Sequence, residues 1–539
     1  MADTATESSK KTESRSFPFA SHIAAVKEKI AQITESRKMA ADLLFMTTYM
    51  DSLAIANATR PEIFSYAAKR SEYISAKYIA RVDTFVKKWN YSYAEGLSIV
   101  AERTSNETLK SMLNRYANSI QAGVPDDDFL SSELLTIRSL YRSQQEQGLS
   151  MLEKWGDAYI AMLLAGTVIA VTIMISVVIY SMGNLQATLN LAYAIILVIC
   201  IFGIFLMYTS APYDPKTHDL AGRRSKEQET IHSMERIILP VAALAVIAMA
   251  LLGISAGLIF ILVGILMAPM GIIGFIDDKN IIQRDDEFST FIKNFGAVMG
   301  GKSTTPAIAL GSIDRKSLNA LDPLINSVYS KLNLGLDEKQ TWDKFIGETG
   351  SHLISKYLNI FRDTVALGGP PQPIGAVISS SMLEQTLQRQ KKDMQARSFL
   401  FLLVPMHITM TGIFVVLYEI LHTLTGSVST MMAQFSQNAT SSGGMGGADI
   451  SQVLSGGMGM FTNFPTQTMN TFVVITIAIL TISNITAIRI VGGGGRYMYY
   501  FYAAIFFALT GIVLIIAPIV VGFFFNPAAL TGMGTAAGV

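Results

Sequence analysis

The stretch Gln388-Arg389-Gln390-Lys391-Lys392-Asp393-Met394-Gln395-Ala396-Arg397-Ser398-Phe399-Leu400-Phe401-Leu402-Leu403-Val404 changes character at one point. Up to Arg397 it is dense in charge; beyond Ser398 no Lys or Arg occurs until Arg489. Similar basic-free blocks run from Gly156 to Pro215, from Ile237 to Asp278, and from Tyr497 to the last residue, Val539. A chain that crosses a bilayer keeps its Lys and Arg in cytoplasmic loops. The blocks therefore give the spans and the orientation together.

Seven stretches suit helices crossing about 30 Å of hydrocarbon: 159–180, 189–208, 237–252, 256–276, 399–421, 471–490 and 498–523. The third and fourth are joined by Gly253-Ile254-Ser255, so they also read as one bent hairpin. The charged loops 1–158, 209–236, 277–398 and 491–497 fall inside. The segments 181–188, 253–255, 422–470 and 524–539, none with a Lys or Arg, fall outside. This puts the N-terminus in the cytoplasm and the C-terminus outside. Tyr497, Tyr499, Tyr500 and Tyr502 fall at the inner interface, where aromatic rings collect.

Composition agrees. Of 539 residues, 50% are hydrophobic and 15% charged, too apolar for a soluble protein and too charged for a bare transporter core. A net charge of +1 with no dominant basic stripe gives no nucleic-acid footprint. The lone Cys200 rules out an internal disulfide, and the six His residues lack metal-ligand spacing. No cofactor is expected. Residues 1–40 read as a polar tail followed by a basic amphipathic helix, Phe19 to Lys38, with no secretory h-region.

The two long cytoplasmic stretches, 41–158 and 277–398, look like copies of one another. Asp42 to Phe64 reads as helix, turn at Arg60-Pro61, helix; Asp286 to Leu310 repeats this with Thr305-Pro306. Glu102 precedes Gly123 at the same spacing as Glu348 precedes Gly369. Between them run apolar helical faces: Leu109, Met112, Leu113 and Tyr116, then Leu353, Tyr357, Leu358 and Phe361. Each glycine is read as a left-handed helix cap. Each copy is an all-helical bundle leading without a break into a span, so the fold class is an all-α polytopic membrane protein.

This arrangement resembles the platform proteins of type IV pilus and type II secretion machines. These carry tandem helical F-type domains, each with a Glu-to-Gly motif and a following membrane helix. The run Gly347-Glu348-Thr349-Gly350-Ser351 is similar to that motif; the first copy has Glu102-Arg103-Thr104-Ser105, without the glycine. Seven spans, Tyr49-Met50-Asp51-Ser52-Leu53, Leu367-Gly368-Gly369-Pro370 and Pro405-Met406-His407 resemble the archaeal branch, which serves the archaellum or archaeal pili. The resemblance covers roughly residues 40–524. It implies a non-enzymatic homodimeric platform that couples a cytoplasmic hexameric secretion ATPase to insertion of pilin- or archaellin-like subunits, with the archaellum slightly favoured.

Other motifs carry competing readings. Gly296 to Ser303 matches a phosphate-binding loop, but an amphipathic helix precedes it rather than a buried strand. An ATP-using enzyme is thus one alternative, and a transporter with helical regulatory domains the other. The loop 209–236 holds Lys216, Arg223, Arg224 and Lys226, read either as a positive-inside connector or as the ATPase docking patch. Arg389, Lys391, Lys392 and Arg397 read as anchors against anionic lipid. Asp126-Asp127-Asp128 reads as a helix cap. His407, inside the fifth span, reads as an inter-helix hydrogen bond in preference to a proton relay. The Gly/Met-rich segment 422–470, with the sequon Asn438-Ala439-Thr440, reads as a flexible outer linker or a contact for the filament.

Overall fold

The computed structural model describes residues 18–180, 185–218, 220, 224–302, 305–441 and 465–524. Among them are sixteen helices and no strand. The chain forms two compact units, Met1–Tyr141 and Arg142–Val539.

In the first unit α1 (Pro18–Ile55) is followed by α2 (Arg60–Ala68), α3 (Ala76–Trp89), α4 (Tyr93–Glu102) and α5 (Glu107–Gln121). The amphipathic segment around Phe19 to Lys38 is therefore not separate: it is the first part of α1. α6 (Asp126–Tyr180) starts in this unit and continues into the next. Asp126, Asp127 and Asp128 form its first turn, where carboxylates complement the helix dipole. Asp126 also accepts from Arg60 Nε at 2.9 Å and from the Tyr116 hydroxyl at 3.1 Å.

The second unit adds α7 (Leu185–Ser210), α8 (Lys226–Leu251), α9 (Ala256–Lys302), α10 (Pro306–Ser312), α11 (Asp322–Asn333), α12 (Glu338–Thr349), α13 (His352–Ala366), α14 (Pro371–Ser441), α15 (Thr466–Gly492) and α16 (Met498–Phe524). Seven helices, α6 to α9 and α14 to α16, are long and apolar enough to cross a membrane. The pair joined at Gly253 is two helices: Gly253 takes φ +68 and ends α8 in a left-handed turn. α14 runs on to Ser441, so the first part of the expected linker 422–470 is helix; residues 442–464 lie outside the described ones.

The repeat is visible element by element, α1 to α6 against α9 to α14. The second helix of each copy opens after Thr59 or Thr305 with a proline in its first turn. The fourth opens on Ser92 or Asp337, whose side chain accepts from Glu95 or Gln340 N–H. The fifth opens on Asn106 or Ser351, capping Leu109 or Ile354. It closes at Gly123 (φ +75), where the Glu-to-Gly spacing places it, or at Gly368 (φ +91), one glycine earlier than that spacing predicts. Val124 N–H bonds Ser119 O and Gly369 N–H bonds Thr364 O, both at 3.1 Å. Gly369 thus stands just past the left-handed residue, where any backbone donor suffices. The first helix reaches the third through a carboxylate in both copies. Asp42 accepts from Ile74 and Ser75 N–H, and Glu287 from Ala320 and Leu321 N–H.

Small residues let two helices of the span region approach backbone to backbone. Gly257, Gly264 and Gly271 recur every two turns on α9 and face α16. A Cβ on Gly271 would lie 2.7 Å from Phe501 Cα, and one on Gly264 would lie 2.9 Å from Ala508 N. With lipid on the outside, such backbone-to-backbone packing replaces the hydrophobic drive that water supplies elsewhere.

Candidate functional site at the charged ends of the spans

Residues 211–218, between α7 and α8, form a strap held by side chains from two helices, α9 and α14. Arg389 on α14 donates through Nε to both Asp214 oxygens at 2.8 and 3.0 Å, and through Nη2 to Pro215 O at 2.7 Å. Its Nη1 pairs with Asp285 on α9. Lys216 Nζ reaches Asp278 on α9 at 2.9 Å and Asp393 on α14 at 3.0 Å. Lys392 Nζ donates to Pro212 O at 3.2 Å. The strap backbone then continues to the repeat's motif: His352 N–H bonds Lys216 O at 2.9 Å, and His218 N–H bonds Gly350 O at 3.3 Å.

The motif residues close this assembly. Gly350 takes φ +69, a left-handed conformation that calls for glycine; a Cβ there would sit 2.9 Å from Gln228 Nε2, the movable end of that side chain. Ser351 caps α13 and donates to Asp285. Arg284 Nη1 donates to Thr349 O at 3.0 Å. Asp277 accepts from Ser225 at 2.8 Å and Gln228 at 3.0 Å, tying α8 to α9. Glu348 itself stands at the side, within 3.9 Å of Lys344, and Glu102 is exposed.

Burial sets the electrostatics. It pushes the Asp285 carboxyl up to about 6, against the pull of Arg389. Burial also pushes Asp214 up, but Arg389, Lys392 and Lys216 outweigh it and hold that carboxyl below its ordinary value. Burial favours neutral Lys216; Asp278 and Asp393 overcome this and raise it. Lys392, buried with only partial compensation from Asp214, falls to about 8.

These positions revise several sequence expectations. Lys216 is 3% exposed and paired twice, so it is an internal tie and not part of a surface patch. Arg224 and Lys226 are exposed; Arg223 lies outside the described residues. Arg389 and Lys392 are buried ties and not lipid anchors, whereas Lys391 and Arg397 are exposed. The segment 296–302 is helix. A Cβ on Gly296 would lie 2.4 Å from Pro371 O, so that glycine lets α9 and α14 touch. No strand precedes it among the described residues, and the phosphate-loop reading lacks its structural context.

A second polar cluster lies among the spans. Asn484 Nδ2 donates to His407 Nδ1 at 3.0 Å, which leaves Nε2 to donate to Thr510 Oγ1 at 2.8 Å. Tyr159 donates to Asn484 Oδ1 at 2.8 Å and lies 2.7 Å from Ser483 Oγ. Both ring nitrogens of His407 are thus engaged in bonds between helices. Among the described residues, no group of three or more His, Cys, Asp or Glu is placed to hold a metal.

Two helical repeats leading into seven apolar helices, tied by a buried ionic strap, define a multi-pass helical membrane protein. Its curated homologues include Flagella accessory protein J of Methanocaldococcus jannaschii, 22% identical over 388 residues, covering 69% of this chain and 68% of that protein. Flagella accessory protein J of Methanococcus voltae is 22% identical over 331 residues, 59% of each chain. These homologues bear out the resemblance to the archaeal platform proteins. No family model and no solved structure matches the chain.

Proposed function

We propose that this chain is an archaellum-related membrane platform, without enzymatic activity, that couples a cytoplasmic secretion ATPase to the insertion of pilin-like subunits. The observation that carries this reading is helix continuity. α9 and α14 pass from the second repeat into the span region without a break. An α-helix rises about 1.5 Å per residue, so the 47 residues of α9 reach roughly 70 Å. A displacement applied to the repeat is delivered to the spans, since no loop lies between to absorb it. The repeats face the cytoplasm in this reading, the chain works as a homodimer, and the C-terminus lies outside.

The exposed Arg224 and Lys226, with Arg223, form the docking patch for an acidic face of the ATPase. Full-length protein in nanodiscs, with Arg224→Glu and Lys226→Glu, is expected to lose most of its retention of the hexameric ATPase while keeping its membrane insertion. Unchanged retention rejects the patch. Failure of the unmodified chain to retain any ATPase rejects the coupling itself.

A further inference from the structure

A cavity of about 770 Å³ opens where α9, α14 and α16 leave the apolar zone. That volume lies within the range of small-molecule sites. Its walls change along its depth. At one end are Phe275, Leu400 and Phe501, from the span portions of the three helices; Phe275 and Phe501 stack at 4.8 Å. At the other are polar side chains of both signs.

Three of those charges are paired among themselves: Asp278 and Asp393 share Lys216. Asp286 accepts from the neutral amide of Gln390 at 3.1 Å and keeps its negative charge. The cations that remain are Lys279 on α9 and Arg397 on α14. Both are exposed, and neither has an ion-pair partner among the described residues. Two free cations on facing helices, above an aromatic and aliphatic floor at the edge of the hydrocarbon, match a group that carries a negative phosphate and apolar chains.

We propose that this cavity binds the headgroup of an anionic membrane phospholipid, with its phosphate between Lys279 and Arg397 and the start of its chains on Phe275, Leu400 and Phe501. A guanidinium and an ammonium suit phosphate oxygens by charge and by donor count. The inference rests on the multi-pass membrane reading alone and is independent of any ATPase.

The test uses full-length protein in nanodiscs of phosphatidylcholine doped with phosphatidylglycerol, transferred to detergent and weighed by native mass spectrometry. The unmodified chain is expected to retain phosphatidylglycerol. The Lys279→Gln/Arg397→Gln variant is expected to retain at least tenfold less, and the Lys339→Gln variant, altered on α12 outside the cavity wall, as much as the unmodified chain. Leu400→Trp fills the apolar end, keeps both cations, and is also expected to lower retention. Equal retention by the double variant overturns the proposal. So does loss in Lys339→Gln, or full displacement of the lipid by inorganic phosphate at matched concentration, which would mark a free-anion site.

Discussion

Arg389 grips Asp214 through two nitrogens: Nε reaches both carboxylate oxygens, at 2.8 and 3.0 Å, and Nη2 lies 2.8 Å from Oδ1, in a place where Arg389 is 3% exposed. The same guanidinium spans to Asp285. One side chain on α14 therefore fixes the strap and α9 at once.

Removal of Arg389 strands two buried carboxylates. Arg389→Leu is expected to destabilise the second unit by about 3–5 kcal/mol. The exposed pair Lys391–Glu146 is the internal comparison; Lys391→Leu is expected to cost about 0–1 kcal/mol. Thermal unfolding in one detergent, followed for both variants, reads the contrast. Similar midpoints would show that the strap is not held as described.

Asp51 in α1 is 1% exposed, and its Oδ1 has no hydrogen-bond partner. Burial raises its carboxyl from 3.8 to about 6, opposed by Arg138. The unfolded chain thus ionises near 4 and the folded one near 6. Between these values the folded state holds the extra proton, so stability falls as pH rises through that window. Asp51→Asn removes the penalty. It is expected to stabilise by about 2–3 kcal/mol at pH 7, from roughly 1.36 kcal/mol per pKa unit, and to give nothing below pH 4. Melting of the purified protein at pH 4, 5, 6 and 7 checks this; a pH-independent gain would assign the effect to packing.

Gly271 lies against the α16 backbone, with no room for a side chain. Gly271→Ala is expected to cost about 1–3 kcal/mol through overpacking, and Gly271→Leu to part α9 from α16. Gly412, with open space around it, is the control: Gly412→Ala is expected to be neutral or slightly stabilising. Equal effects at the two sites would contradict the packing.

The phosphate-loop match makes opposite predictions from the helix packing. If Gly296 serves the contact with Pro371, Gly296→Ala destabilises while Lys302→Ala changes neither stability nor nucleotide affinity. Binding of a fluorescent ATP analogue that is lost in Lys302→Ala would restore the nucleotide reading.

The spans were legible because hydrocarbon excludes charge so strongly that the absence of Lys and Arg is itself a signal. The copies were legible through Thr-Pro helix starts and apolar spacing. The glycine register was misread by one position. The match was counted from Glu102 and Glu348, which make little contact; counted from the caps Asn106 and Ser351, Gly123 and Gly368 fall into register. The strap was missed because ion pairs between distant segments leave no periodic trace. One signal did exist: the buried stripe of α14 runs Met382, Gln385, Arg389, Lys392, Ala396, Phe399, Leu403. Its spacing of three and four passes through both cations and marks them as inward-facing.

The two through-running helices each carry one proline inside their apolar part, Pro269 in α9 and Pro405 in α14. Each removes one backbone bond and crowds the carbonyl a turn before it. Both lie a turn or two beyond the charged boundary, at comparable depth. The two helices run in opposite directions, so the weakened turn, on the N-terminal side of each proline, lies deeper in the apolar zone in α9 and nearer the charged boundary in α14. A load applied at their charged ends would flex the two rods at levels about a turn apart, while the stretch between the repeat and those turns stays straight.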